Sequence, residues 1–145
     1  MTDDLQLLRD ADDPRRAEAP SGFDRRAAEA RFAKMAEMIV AAFPESTFET
    51  GKAVQDAAFH GQVRLVLGRG CQEHALIRAS NFGGFVAIHD DAHSLSREQR
   101  HWLLTLFPDQ GYTFIPEKVL ALPYDGGNPD LRALPDWWER YFEWL

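Results

Sequence analysis

Apolar residues in this chain follow a helical spacing between residues 24 and 43 and an alternating spacing between residues 62 and 90. Between Asp24 and Phe43, the residues Phe32, Met35 and Ile39 recur every three or four positions, which predicts a helix with one buried face. Asp24 is placed to cap the start of this helix, and a proline follows its end at Phe43. The apolar face of such a helix can cover one side of a sheet.

Three alternating segments then predict β-strands. They are QVRLVLG (62–68), EHALIRAS (73–80) and GFVAIHD (84–90), and apolar side chains occupy every second position in them. Their connections are short and contain the glycines that tight turns require. The sequence therefore predicts an antiparallel meander of three strands, with STFET (46–50) as a candidate fourth strand.

The rest of the chain has the signals of helices separated by loops. Ser96 and Gln99 have the spacing of a capping box at the start of a helix that Pro108 ends. Pro116 suits the first turn of a short helix, and residues 134–145 suit a closing helix. The predicted fold class is α+β: a small antiparallel β-meander of three to four strands, with an N-terminal helix and C-terminal helices packed on it.

Length and composition fit one folded domain. The chain has 145 residues, of which 45% are hydrophobic, and this is enough for one core but not for two. Residues 1–22 are rich in Asp, Arg, Ala and Pro, and we predict a mobile arm with one frayed turn around Leu5 to Leu8. Residues 23–145 are predicted to form the single α+β domain.

Charge and hydropathy disfavour several kinds of partner. The formal net charge of −7 argues against nucleic acid and anionic membrane surfaces, since both bind basic faces. No apolar run approaches the ~20 residues that span a bilayer, and the N-terminus lacks the pattern of a signal peptide. The single cysteine, Cys71, cannot form an internal disulfide, in agreement with a reducing cytosol. The predicted location is the cytoplasm, and no cofactor is predicted.

The closing segment LPDWWERYFEWL concentrates aromatic residues. On an α-helix its apolar arc has Trp138, Tyr141 and Leu145 at the centre, which we expect in the core, and Phe142 and Trp144 at half-exposed edges. Either the arc only caps the core, or one flank belongs to an acid-rimmed patch with the composition of a binding hot spot. The predicted partner-binding residues are Asp136, Trp137, Glu139, Arg140, Glu143 and Trp144.

A second cluster, HDDAH (89–93), contains side chains of the types that bind divalent metals. His89, Asp91 and His93 offer imidazole and carboxylate ligands at the end of a predicted strand. A metal site also needs ligands from elsewhere, and no spacing in the sequence identifies them. The alternative is a polar turn in which Asp90 or Asp91 caps the backbone. Without those further ligands we predict no bound metal. The sequence also has no nucleophile elbow and no phosphate loop, so we predict no catalytic residue.

The stretch YTFIPEKVLALPYDGGNPDLRALPDWWERYF (112–142) resembles the C-terminal half of small bacterial proteins that act as immunity partners of toxins. The resemblance rests on the order of FIP, PYDG and WWxRYF. It implies a small α+β fold and tight binding to a cognate toxin, and it identifies no particular binding residue.

The leading hypothesis is therefore a cytoplasmic protein-binding protein that is not an enzyme: an immunity protein that neutralises a cognate bacterial toxin by direct binding. A basic toxin suits its acidity, and we expect a monomer or a weak homodimer. Two alternatives stay open. One is a small metal-dependent enzyme centred on His89, Asp91 and His93, and the other is a self-associating structural or adaptor module.

Overall fold

A computed structural model describes residues 4–12, 25–49, 61–66, 74–80, 84–90, 95–126 and 134–143. The strands are β1 (Thr47–Glu49), β2 (Gly61–Val66), β3 (His74–Ala79), β4 (Phe85–His89) and β5 (Thr113–Phe114). The helices are α1 (Asp4–Ala11), α2 (Arg25–Ala42), α3 (Arg97–Asp109) and α4 (Glu117–Leu120), and a π-helix spans Glu139–Glu143. None of the described helices combines the length and apolarity that a membrane-spanning helix needs.

The five strands form one sheet in the order β1-β2-β3-β4-β5. β1 to β4 pair antiparallel in chain order, which confirms the predicted meander and its candidate fourth strand. The fifth strand is an addition to the prediction, since β5 pairs parallel with β4 and places Thr113 opposite Phe85. α3 lies in the crossover between these two strands, because a parallel pair cannot be joined by a tight turn. The architecture is α+β, as predicted.

Helices pack on both faces of the sheet and create two apolar cores, whereas the length of the chain predicted one. β4 contributes to both, since Val86 and Ile88 enter the first core while Phe85 and Ala87 enter the second. α2 and α3 cover the first face, and α1, α4 and the terminal segment (residues 134–143) cover the second. The predicted apolar face of α2 is confirmed by the burial of Phe32, Met35, Ala36 and Ile39.

α3 begins at the predicted capping box. The Gln99 backbone N–H donates to Ser96 Oγ at 3.0 Å, and the Ser96 N–H donates to Gln99 Oε1 at 2.8 Å. The prediction that Pro108 ends this helix is wrong by one residue, since α3 continues to Asp109. Gly111 follows with a φ of 85°, a left-handed conformation that favours glycine, and the chain turns there into β5.

α1 is docked on the second core, and this corrects the predicted mobile arm for residues 4–12. Leu8 is fully buried, and the Tyr141 hydroxyl donates a hydrogen bond to the Leu8 carbonyl oxygen at 2.7 Å. Arg9 forms a two-pronged ion pair with Asp125, with nitrogen–oxygen distances of 2.6 and 3.1 Å. The helix packs on the second core, where Leu8 lies in the same cluster as Trp137, Tyr141 and Phe142. The rest of the predicted arm and the predicted cap Asp24 lie outside the described residues.

Tyr112 lies in the first core beneath the Arg31 guanidinium, 6.0 Å from the ring centroid, and burial raises the pKa of its phenol to about 12. An unfolded tyrosine titrates near pH 10, so between about pH 10 and 12 the native state binds more protons than the unfolded state. The contribution of Tyr112 to the free energy of unfolding should therefore fall as pH rises through this window and be constant below it.

We expect the unfolding free energy of the native sequence to fall about 1 kcal/mol more than that of Tyr112→Phe between pH 8 and pH 11. Urea denaturation of both proteins at each pH measures this difference. Burial also raises the pKa of Tyr141, but Tyr141 is present in both proteins and cancels. Equal losses in the two proteins would contradict the assignment.

Candidate functional site

The aromatic side chains of the terminal segment enter the core in a different set from the predicted one. Trp137 and Tyr141 are fully buried and stack with ring centroids 6.1 Å apart. Trp138 stacks on Phe142 at 4.9 Å and is only half-buried. The predicted burial of Tyr141 is confirmed, but the predicted half-exposed position of Phe142 is wrong, since 4% of it is exposed. Phe142 lies in the π-helix, which closes on i→i+5 bonds, so the α-helical wheel does not apply at its position.

The structure also corrects two of the predicted partner-binding residues. Trp137 and Arg140 have no exposed surface, so neither side chain can touch a partner in this conformation. Asp136 is half-buried and remains a candidate. Glu139 and Glu143 are part of the π-helix, but their side chains, like the whole of Trp144, lie outside what the structure describes. For these three the prediction stays a prediction.

Arg140 belongs to a buried polar cluster that joins the terminal segment to α1. Arg140 Nε donates to Asp12 Oδ1 at 2.7 Å, and the two side chains are 0% and 1% exposed. The Tyr124 hydroxyl donates to the other Asp12 oxygen at 2.7 Å. Gly126 approaches the same carboxylate so closely that an added Cβ would overlap both Asp12 and Tyr124. The role of Arg140 is therefore internal.

Among the described residues, this face has an exposed hollow of about 200 Å³ that we call the His89 cleft. It lies between the end of β4, α4 and the start of the terminal segment. Its lining residues are His89, Glu117, Ala121, Asp136 and Trp138. Two carboxylates, one imidazole and one indole thus surround a space open to solvent.

The strands bring the imidazole and one carboxylate of the cleft together. Side chains alternate along β4, so His89 follows Phe85 and Ala87 on the second face of the sheet. β5 runs parallel beside β4, and Pro116 then starts α4 with Glu117 as its first residue. His89 Nδ1 lies 2.8 Å from Glu117 Oε1, and both side chains are about two-fifths exposed (40% and 41%). Since an ionised carboxylate only accepts, Nδ1 carries the proton in this contact.

Trp138 forms one wall of the cleft and packs against an arginine of the sheet. The Arg78 guanidinium lies 5.7 Å from the Trp138 ring centroid, and the His89 ring lies 6.0 Å away. Arg78 pairs with Ala87 across β3 and β4, so it is a diagonal neighbour of His89 on the same face. Arg78 Nε donates to Gln62 Oε1 at 2.8 Å, and burial lowers the pKa of the guanidinium. The arginine is therefore held in place before any partner arrives.

A second hollow of about 320 Å³, the Arg100 hollow, shares Glu117 with the His89 cleft. The other side chains that line it are Ile88, Asp90, Leu95, Arg100 and Phe114. Asp90 Oδ2 accepts a hydrogen bond from the Leu95 backbone N–H at 3.0 Å, which confirms Asp90 as a backbone cap at this turn. The Arg100 guanidinium lies 5.6 Å from the Phe114 ring centroid. This hollow carries charges of both signs.

The structure describes one of the three predicted metal ligands. His89 is described, while Asp91 and His93 lie outside the described residues. Among the residues that are described, no three His, Cys, Asp or Glu side chains are grouped so that they could hold a metal. His89 Nδ1 is engaged by Glu117 Oε1. The metal hypothesis for the HDDAH segment stays a prediction.

Sequence reasoning missed Arg78 and Glu117 as site residues. A signal for Arg78 was present, because strict alternation in β3 places it on the opposite face from the buried Ile77. No signal was present for Glu117, since its position depends on the parallel pairing of a two-residue strand.

Comparison of the chain with protein-family models, with curated protein sequences and with solved structures found no match in any of the three.

Proposed function

We propose that this chain is a cytoplasmic protein-binding protein, an immunity protein that neutralises a bacterial toxin by direct binding. The observation that carries the proposal is the half-buried Trp138 at the His89 cleft, with Arg78 packed on it. Trp and Arg are the residue types that most often dominate binding energy at protein interfaces. The terminal aromatic segment thereby keeps its proposed binding role through Asp136, and Trp138, which was predicted to lie in the core, joins it.

The mechanism that we propose is steric occlusion by a preformed surface. The contacts of Arg78 with Gln62 and Trp138 limit the freedom of its side chain in the unbound protein. Less side-chain entropy is then lost on binding, which favours affinity without a conformational change. The net charge of −7 speeds encounter with a basic partner.

The test is rescue of growth. We expect co-expression of this chain to protect cells against a toxin encoded next to its gene, and the purified pair to bind. Trp138→Ala should weaken binding at least about tenfold, as expected for a hot-spot residue. Titration calorimetry measures the affinity, and near-ultraviolet circular dichroism checks that the variant is folded.

Trp102→Ala is the matched control, because Trp102 is 38% exposed but lies on α3, on the other face of the sheet. We expect this variant to bind within about twofold of the native sequence. Failure to rescue against every neighbouring toxin, together with no measurable binding, would refute the function. Equal binding by the Trp138→Ala variant would leave the function standing and refute this site.

A further inference from the structure

The His89 cleft has the charge and size to hold one basic side chain. Among its described lining residues, Glu117 and Asp136 supply two carboxylates, and His89 is the single base. A space of about 200 Å³ admits the head group of a lysine or arginine side chain with part of its stem. We infer that the cleft receives one lysine or arginine side chain of the bound protein. This inference rests on the proposed function and adds the chemistry of its partner.

The walls of the cleft suit the two parts of such a side chain. Long basic side chains bury their methylene stems against apolar surface while the charged head seeks polar groups. Trp138 and Ala121 provide the apolar walls, and the carboxylates of Glu117 and Asp136 provide the acceptors. A carboxylate has about four acceptor positions, so the His89 contact with Glu117 Oε1 leaves capacity for another donor. Hydrogen bonds between an ionised donor and a carboxylate are about twice as strong as neutral ones.

The neighbouring Arg100 hollow explains why the His89 cleft is the selected site. Both hollows share Glu117, but the larger one also contains the Arg100 guanidinium, which repels a second cation. Arg78 contacts the Trp138 ring and Gln62 and is not part of the lining of the His89 cleft. Local charge therefore favours a cation on one side of Glu117 and not on the other.

Small probes test the cleft without a toxin. N-acetyl-argininamide and N-acetyl-lysinamide carry the basic side chains, and N-acetyl-citrullinamide has the shape of the first without its charge. The four tryptophans give separate indole N–H signals in a heteronuclear NMR spectrum, and Trp138→Phe assigns the relevant one. We expect both cationic probes to shift the Trp138 signal saturably with a Kd on the order of 10 mM, and the citrulline probe to leave it unchanged.

Conservative variants locate the charge. Glu117→Gln and Asp136→Asn should each weaken binding of the cationic probes at least about fivefold. Glu98→Gln is the matched control, an exposed acid on α3 at the other face of the sheet, and it should not alter binding. No saturable shift up to about 100 mM, or equal binding of the citrulline probe, would overturn the inference. That result leaves growth rescue unaffected, so failure of the cleft and failure of the proposed function are distinguishable.

Discussion

Replacing Asp12 with alanine is expected to lower the free energy of unfolding by about 3–5 kcal/mol, the largest effect we foresee for a single charged side chain. The variant leaves the Arg140 guanidinium in the interior without the carboxylate that lies 2.7 Å away. Neither side chain is more than 1% exposed, so the charge that remains is buried away from solvent. The Tyr124 hydroxyl loses its acceptor in the same change. Urea denaturation followed by circular dichroism measures the loss.

A double-mutant cycle separates the energy of the ion pair from the energy of packing at the same site. Buried ion pairs stabilise little relative to apolar groups of similar volume, because desolvation offsets their attraction. The double variant Asp12→Ala with Arg140→Met should therefore be more stable than the Asp12→Ala variant alone. Asp125→Ala is the control, since it removes the other ion pair of α1, whose side chains are 37% and 52% exposed, and should cost less than about 1 kcal/mol. A loss below about 1 kcal/mol for Asp12→Ala would contradict a docked α1.

Replacing Trp137 with alanine is expected to cost about 3–5 kcal/mol, because it empties the centre of the second core. The indole is fully buried, with its ring centroid 4.7 Å from that of Tyr124 and 6.1 Å from that of Tyr141. The second core draws its side chains from α1, β4, residues 115–124 and the terminal segment, so we expect them to collapse only partly into the space. Chemical denaturation gives the loss directly.

Trp137→Phe should cost much less, about 1–2 kcal/mol, for a reason beyond its size. Trp137 Nε1 is the buried side-chain nitrogen that has no hydrogen-bond partner in the described part of the chain. An unpaired buried donor is unfavourable, so its removal offsets part of the packing loss. If the phenylalanine variant were as unstable as the alanine variant, the indole N–H would have to be paired in solution.

Local patterns predicted the first face of the sheet because its burial is set by neighbours in sequence. Phe32, Met35 and Ile39 repeat with the helical period, and Val63 and Leu65 alternate, and all five are buried as expected. The capping box of α3 depends on two residues three positions apart, Ser96 and Gln99, and was predicted for the same reason. Strand β5 was not, since two residues are too few to show a period.

The second face could not be predicted, because its contacts join distant residues. Asp12 meets Arg140 across 128 positions, and composition alone marks the first as part of a polar arm and the second as part of a solvated helix face. The terminal segment buries Trp137 and leaves Trp138 half-buried at the cleft, the reverse of what the α-helical wheel predicted for these two residues. Among the predicted partner-binding residues that the structure describes, only Asp136 lines the His89 cleft.

The contact between Asp12 and Arg140 has a consequence for how the protein is made. A ribosome adds about 5–20 residues per second, so α1 waits several seconds for the residues that hold it. Until then Leu8 and the second-face residues of β4 have no cover, while the meander and α2 can already associate. The nascent chain therefore carries an uncovered apolar sheet face from the synthesis of β4 until that of the terminal segment, and this is the interval in which a chaperone would have to protect it.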